Sequence, residues 1–206
     1  MLLSATTVLL AYLLGSIPTG PLVSRRLRGI DVRDHGSGGS GATNVLRVVG
    51  WKGALPVLLV DLVKGLVAVM VVRHSPWTAP DASGWLTALA GLGVIAGHLW
   101  PVFAGFCGGK GVATSAGLWL AIHAGVFATC IALFLIVLLV TRRVSAASLS
   151  AVCSLPPVLW IVTVLPGGPV PVPGLTLALG GAAMVVLAHR RNLVRLLTGD
   201  EPRIRP

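Results

Sequence analysis

The uncharged stretches set the strongest limit on what this chain can fold into. No Asp, Glu, Lys or Arg occurs before Arg25, between Asp81 and Lys110, or between Arg143 and Arg190. A bilayer core of about 30 Å is crossed by roughly 20 apolar helical residues, so such runs read as membrane spans. Met1 to Ser24 is one, Gly53 to Val72 a second interrupted by Asp61 and Lys64, and Ser83 to Gly109 a third. The first has no basic segment before it and arginines after it, which reads as a retained helix and not a signal peptide. Val144 to Ala188 is divided by PGGPVPVPG at 166 to 174, whose prolines and glycines cannot continue a helix, so it makes two spans. With 55% apolar and 11% charged residues, a soluble globule is excluded.

Gly111 to Thr141 is the ambiguous run, since as one helix it would extend about 46 Å at roughly 1.5 Å per residue. Charge placement decides it. Two short helices turning near His123 to Gly125 put the Arg25 to Lys52 loop, Lys110, Arg142 with Arg143, and the tail from Arg190 to Arg205 on one side of the membrane, leaving Arg73 and Asp81 on the other. The expectation is an all-α integral membrane protein: a seven-transmembrane-helix bundle with a short fourth helix, N-terminus outside and C-terminus cytoplasmic, and residues 1–206 as a single transmembrane domain. The net charge of +10 then belongs to juxtamembrane segments, so a nucleic-acid partner fits poorly. Cys107, Cys130 and Cys153 are far apart in apolar surroundings and read as buried, inert thiols, with no disulfide framework and no metal site.

Three polar clusters fall on the basic side. HGSGGSGATNVLR at 35 to 47 offers converging backbone N–H groups, hydroxyls and Arg47 to an anion, or else is a flexible interhelical loop. It is neither a Walker A loop nor a dinucleotide fingerprint. In GHLWPVFAGFCGGKGVATSAG at 97 to 117, glycines bracket Lys110 just before a helix, so backbone donors, helix dipole and ammonium point one way. The plain alternative is a topogenic lysine in a tight turn. In HRRNLVRLLTGDE at 189 to 201, His189 and Asn192 share a helical face, while Arg190 and Arg191 suit anionic headgroups. Asp61 and Lys64, three apart, can neutralise each other inside the bilayer, either to fix packing or to serve function.

Together GSGGSGATNVLR, DLVKG, GHLWPVFAGFCGGKGVAT, TRRVSAAS and HRRNLVRLLTGDE resemble the motifs of the bacterial acyl-phosphate:glycerol-3-phosphate acyltransferases, the PlsY family, in order and spacing over nearly the whole chain. The resemblance implies transfer of a fatty acyl group from acyl phosphate to the sn-1 hydroxyl of glycerol 3-phosphate, giving lysophosphatidic acid and inorganic phosphate. The site would lie on the cytoplasmic side of the bacterial plasma membrane, among membrane lipids. No cofactor is implied, and neither acyl-CoA nor acyl carrier protein acts as direct donor. Carried over by motif, the substrate-binding positions are Ser37, Thr43, Asn44, Arg47, Lys110, Ser145, His189 and Asn192, with His98, His189 and Lys110 as the candidate catalytic groups. Gly39 stands where the family usually has Asn, and Cys107 where a basic residue is common.

An acyl phosphate is already activated, so the demand on the protein is to orient a hydroxyl and screen phosphate charge. The cytoplasmic acids Asp31, Asp34, Asp200 and Glu201 lie outside the central motifs, so no carboxylate base stands out. His98, His189 or the substrate's own phosphate takes the proton, the last being favoured on the resemblance. The acyl chain would lie in a groove between helices, open to the bilayer. No histidine is followed by Asp five positions on, which removes the H-x4-D acyl-CoA enzymes, and no aspartate cluster supports a metal-dependent phosphatidyltransferase. A transporter of organic phosphates is the competing class, although no inverted repeat is visible. Cysteines introduced at Gly36 and Thr198 in a cysteine-free background are expected to react only with reagent on the cytoplasmic side, and one at Asp81 only from outside. External labelling at position 198 would contradict the seven-span count.

Overall fold

The computed structural model describes residues 2–74 and 84–204; Asp81, expected on the outer side, lies outside them. The described residues are helical and run α1 (Leu2–Gly15), α2 (Thr19–Arg28), α3 (Ala42–Val48), α4 (Trp51–His74), α5 (Trp85–Leu99), α6 (Val112–Ile122), α7 (Ala124–Thr141), α8 (Val144–Val164), α9 (Val172–Ala188) and α10 (Arg190–Thr198). Five helical segments are long and apolar enough to cross a membrane: Leu3–Arg28, α4, Trp85–Ala104, α7 and α8. Together α9 and α10, bent by 64°, supply a sixth, and α6 is apolar but shorter.

The division expected near His123 is there. His123 is extended at φ −153°, ending α6, and its Nδ1 accepts the Val126 N–H at 3.3 Å to cap α7. The first span differs from the continuous helix expected over Met1 to Ser24, because it breaks at Ser16 to Pro18. Pro18 has no N–H to give the helix, and neither has Pro21, the helical partner that the Ile17 carbonyl would need. Lys64 from α4 donates to that carbonyl instead.

Hydrogen bonds tie the two ends of the bundle. At the basic end Arg33 donates to Ala104 O at 2.8 Å, Ile204 N–H to Arg142 O at 2.8 Å, and Arg143 to Gly199 O at 3.2 Å. At the other end Arg73 donates to Ala121 O at 2.7 Å. The core between them is Val94, Ile95, Leu118, Trp119, Leu177 and Val185, all buried, whereas Leu135, Ile136, Leu139 and Val140 of α7 face outward, as a lipid-bathed helix requires.

The tightest crossing joins α4 to α6. A Cβ on Gly65 would sit 1.9 Å from Thr114 O, and one on Gly117 1.8 Å from Leu62 O. Only glycine allows this backbone approach. It positions α6, and therefore the turn that carries Lys110. Gly117→Ala is expected to cost on the order of 1–3 kcal/mol through forced helix separation, read as a lower Tm in detergent. An unchanged Tm would mean that this crossing is looser than described.

Candidate active site

The chain from α2 to α4 is shaped by Asn44. Its Nδ2 donates to Val32 O at 2.9 Å, His35 O at 3.0 Å and Gly39 O at 2.8 Å, and its Oδ1 accepts the Ser37 N–H at 2.8 Å. A buried amide so fully engaged holds the loop and has little left for a ligand. These bonds fix the stretch that could have been a flexible loop, and it runs into α3, which carries Thr43 and Arg47 one turn apart on the same face. Arg47 is exposed and has no ion-pair partner among the described residues. Gly39 keeps its carbonyl in the Asn44 network, and a side chain added there would meet nothing closer than Ser37 Oγ at 3.9 Å, so its missing amide is not a packing requirement. Of the three cysteines expected to be buried only Cys130 is; Cys107 is exposed at the other loop and Cys153 on α8, because an apolar stretch in a membrane protein also has an outward face.

Lys110 stands before α6 and donates to Asn192 Oδ1 from α10. Asn192 Nδ2 donates onward to Glu201 Oε1 at 2.6 Å, and Arg195 Nε to Glu201 Oε2 at 2.8 Å. Glu201 therefore corrects the expectation drawn from its sequence position: it is buried against the central motifs, brought back because the chain turns over after Gly199, at φ +84°. Burial alone would raise its carboxyl, but hydrogen bonds from Arg195 and Asn192 outweigh that and hold it below the usual range. Burial pushes the Lys110 ammonium down to about 8, with Glu201 opposing and Arg195 and Arg47 adding to the fall.

His189 sits at the junction of α9 and α10. Its Nδ1 lies 2.8 Å from Val185 O. A carbonyl can only accept, so Nδ1 carries the proton and Nε2 keeps its lone pair.

Ser37, Thr43, Asn44, Arg47, His98, Lys110, Ser145, His189 and Asn192 all line one cavity of about 660 Å³. Sequence reasoning named all nine and brought them to one face of the membrane. It missed Glu201 and Ser115 and left Asp61 open between packing and function; all three line the same cavity, and the buried Ser115 hydroxyl has no hydrogen-bond partner among the described residues. Ser115 stood in the quoted ATSAG stretch, but nothing in its spacing set it apart. Away from these groups the cavity becomes an apolar groove lined by Leu55, Leu58, Leu62, Trp119, Phe127 and Phe134. Its α4 wall includes the exposed Leu55, Leu58 and Leu59. Among the described residues, no three His, Cys, Asp or Glu side chains gather as a metal site would need.

A cationic, hydroxyl-lined cradle opening onto an apolar groove suits a membrane-embedded transferase that joins a water-soluble, phosphorylated reactant to a lipid-like one. A family model described as glycerol-3-phosphate acyltransferase matches residues 5–199. The glycerol-3-phosphate acyltransferase of Thermosynechococcus vestitus is 45% identical over 203 residues, covering 95% of this chain and 92% of its own. That of Synechococcus sp. strain JA-2-3B'a(2-13) is 46% identical over 204 residues, covering 99% and 96%. Among solved structures, PlsY (YgiH), an integral membrane glycerol 3-phosphate acyltransferase, aligns in its glycerol 3-phosphate form with a TM-score of 0.86, at 38% identity over 98% of this chain and 96% of that one. Its lysophosphatidic acid form aligns at 0.83 and 37% identity over 98% and 95%. The protein is an integral membrane acyltransferase of phospholipid synthesis. It belongs to the glycerol-3-phosphate acyltransferase family, with PlsY as its structural neighbour.

The low Lys110 value has a consequence for anion binding. The ammonium is present below its folded pKa and lost as pH rises through about 8, so affinity for inorganic phosphate, measured by calorimetry, is expected to fall by up to about tenfold per pH unit above that point. Lys110→Arg, which stays charged, should remove the alkaline fall. A flat wild-type profile to pH 10 would show that the Lys110 charge does not serve the anion.

Proposed function

We propose that the protein transfers a fatty acyl group from acyl phosphate to the sn-1 hydroxyl of glycerol 3-phosphate, releasing lysophosphatidic acid and inorganic phosphate. It does so as a single seven-span acyltransferase domain in the bacterial plasma membrane, with the N-terminus outside and the C-terminus and active site on the cytoplasmic side. The observation that carries this reading is the convergence of nine motif residues from separate segments onto one cavity whose remainder is apolar. The alternation of helix ends supports the span count. Arg33, Lys110, Arg143 and Asn192 meet at one end while Arg73 meets Ala121 at the other, which α6 and α7 satisfy as two passes.

Arg47 and Lys110 supply the positive charge for two phosphates, and Ser37, Thr43 and Ser145 add neutral donors. Asn192 orients Lys110, and Asn44 holds the loop that presents Ser37. The glycerol hydroxyl oxygen attacks the acyl carbonyl carbon, a new ester C–O bond forms, and the bond from that carbon to the phosphate oxygen breaks. For the hydroxyl proton, the substrate carries its own base in the phosphate monoester, whose second pKa is about 6, while His189 keeps a free Nε2 lone pair because its Nδ1 proton is held by Val185 O. His189 Nε2 therefore accepts the hydrogen bond that orients the hydroxyl, and the substrate phosphate takes the proton. The acyl chain lies in the groove past Leu58 and Phe134, and Arg190 and Arg191 meet lipid headgroups.

Purified protein in detergent is expected to convert glycerol 3-phosphate and palmitoyl phosphate to lysophosphatidate and free phosphate, to be inactive with palmitoyl-CoA, and to be unaffected by chelator. Comparable rates with palmitoyl-CoA would contradict the donor assignment. Lys110→Ala and Arg47→Ala should each lose about 1.5–3 kcal/mol of transition-state stabilisation, roughly ten- to 150-fold in kcat/KM, and Arg190→Ala and Arg191→Ala far less. Excess inorganic phosphate should compete with at least one substrate. Normal kinetics in a folded Lys110→Ala protein would move the active site elsewhere.

A further inference from the structure

We propose that Asp61 is a positioning residue for this site, acting through His98 on the glycine-rich turn that carries Lys110. Asp61, Lys64 and His98 are 3%, 3% and 8% exposed, beside the cradle but inside the bundle. Asp61 Oδ1 accepts from Lys64 Nζ at 2.9 Å and from Thr19 Oγ1 at 3.0 Å, and it stands 3.7 Å from His98 Nδ1. That last separation is too long for a direct hydrogen bond. It is close enough for the carboxylate to attract the ring proton to Nδ1, leaving Nε2 on the far side unprotonated.

The far side of the ring meets the turn. A Cβ on Gly109 would lie 2.2 Å from His98 Nε2, so the Gly109 backbone is seated directly on the imidazole. The Gly109 N–H also donates to His98 O at 3.0 Å. Gly108 is pressed onto the same segment, where a Cβ would meet His98 O at 2.1 Å. The residue before Lys110 is thus located by His98, and the His98 ring by a carboxylate from α4. Lys64 would need a counter-charge wherever it lay, but only a carboxylate on this face of α4 both neutralises it and confronts His98. Both Asp61 and His98 line the substrate cavity. If the proton moved from Nδ1 to Nε2, an N–H would be driven against Gly109 and the turn would have to move, carrying Lys110 from its place beside Asn192.

The inference rests on the reading of the cavity as a phosphate site, so binding and turnover are measured separately on the full-length protein in detergent. Glycerol 3-phosphate Kd is read by calorimetry, and kcat and KM with palmitoyl phosphate as donor. The variants are Asp61→Asn with Lys64→Met, which removes the buried pair without leaving a lone charge, His98→Gln, and all three changes together. The first two are each expected to raise Kd and KM for glycerol 3-phosphate about tenfold with kcat within about threefold, and the triple variant no further, because one path is cut twice. Losses that multiply in the triple variant, or wild-type constants in the Asp61 and Lys64 pair variant, would overturn the proposal. Should the pair variant fail to fold, Asp61→Glu keeps the charge and displaces the carboxylate; a several-fold rise in Kd is then expected, and an unchanged Kd overturns the proposal. Wild-type protein that binds glycerol 3-phosphate yet gives no turnover would contradict the proposed reaction, while the Kd series still decides the role of Asp61. Absence of binding in the wild type would contradict both.

Discussion

The hydrogen bond from Lys110 to Asn192 joins segments 82 residues apart and sets the character of the site. An ammonium beside a bilayer needs a partner, yet a carboxylate in direct contact would neutralise it and compete with any incoming phosphate. The amide solves this by standing between. Asn192 accepts from Lys110 and donates to Glu201, and Glu201 is in turn matched by Arg195 at 2.8 Å. The lysine is held in place while its charge stays available. The Glu201 charge is matched by Arg195, and Arg47, which lines the same cavity, has no ion-pair partner among the described residues.

The same economy of charge governs the rest of the bundle. Inside it Asp61 and Lys64 cancel at 2.9 Å, and the spare donor capacity of Lys64 caps the Ile17 carbonyl that Pro21 leaves without a helical partner. Close backbone contact at Gly65 and Gly117 draws α6 against α4. The remaining space between α4, α7 and α8 forms the apolar groove that continues from the cradle. Polar chemistry and lipid access are therefore neighbours by construction: the helix that presents the lysine turn is also the floor of the groove.

Much of this was legible in the sequence because membranes leave few choices. Charge-free runs located the spans, and charge placement required the division at His123, which the structure shows as an extended residue capping α7. The GGKG turn, Arg47 and the His189 to Asn192 pair were recognisable from motif spacing, and they share one cavity. The break at Ser16 to Pro18 was missed because a hydropathy ruler counts Pro18 and Pro21 as tolerable within an apolar run and takes no account of the hydrogen bonds they remove. Glu201 was set aside because burial and pairing depend on the chain returning after Gly199, a tertiary event with no periodic signature. Asn44 had the right location but a different job, since only the fold reveals that its amide is used up by Val32, His35, Gly39 and Ser37.

The most direct test of the cradle is an experimental structure of the full-length protein with glycerol 3-phosphate bound. The phosphate is expected within hydrogen-bond distance of Lys110 Nζ and the Arg47 guanidinium, with Asn192 still bridging Lys110 to Glu201 and the glycerol hydroxyls turned toward His189. A phosphate bound outside this cavity, or one inside it with Lys110 and Arg47 both turned away, would contradict the assignment of these two cations to the substrate.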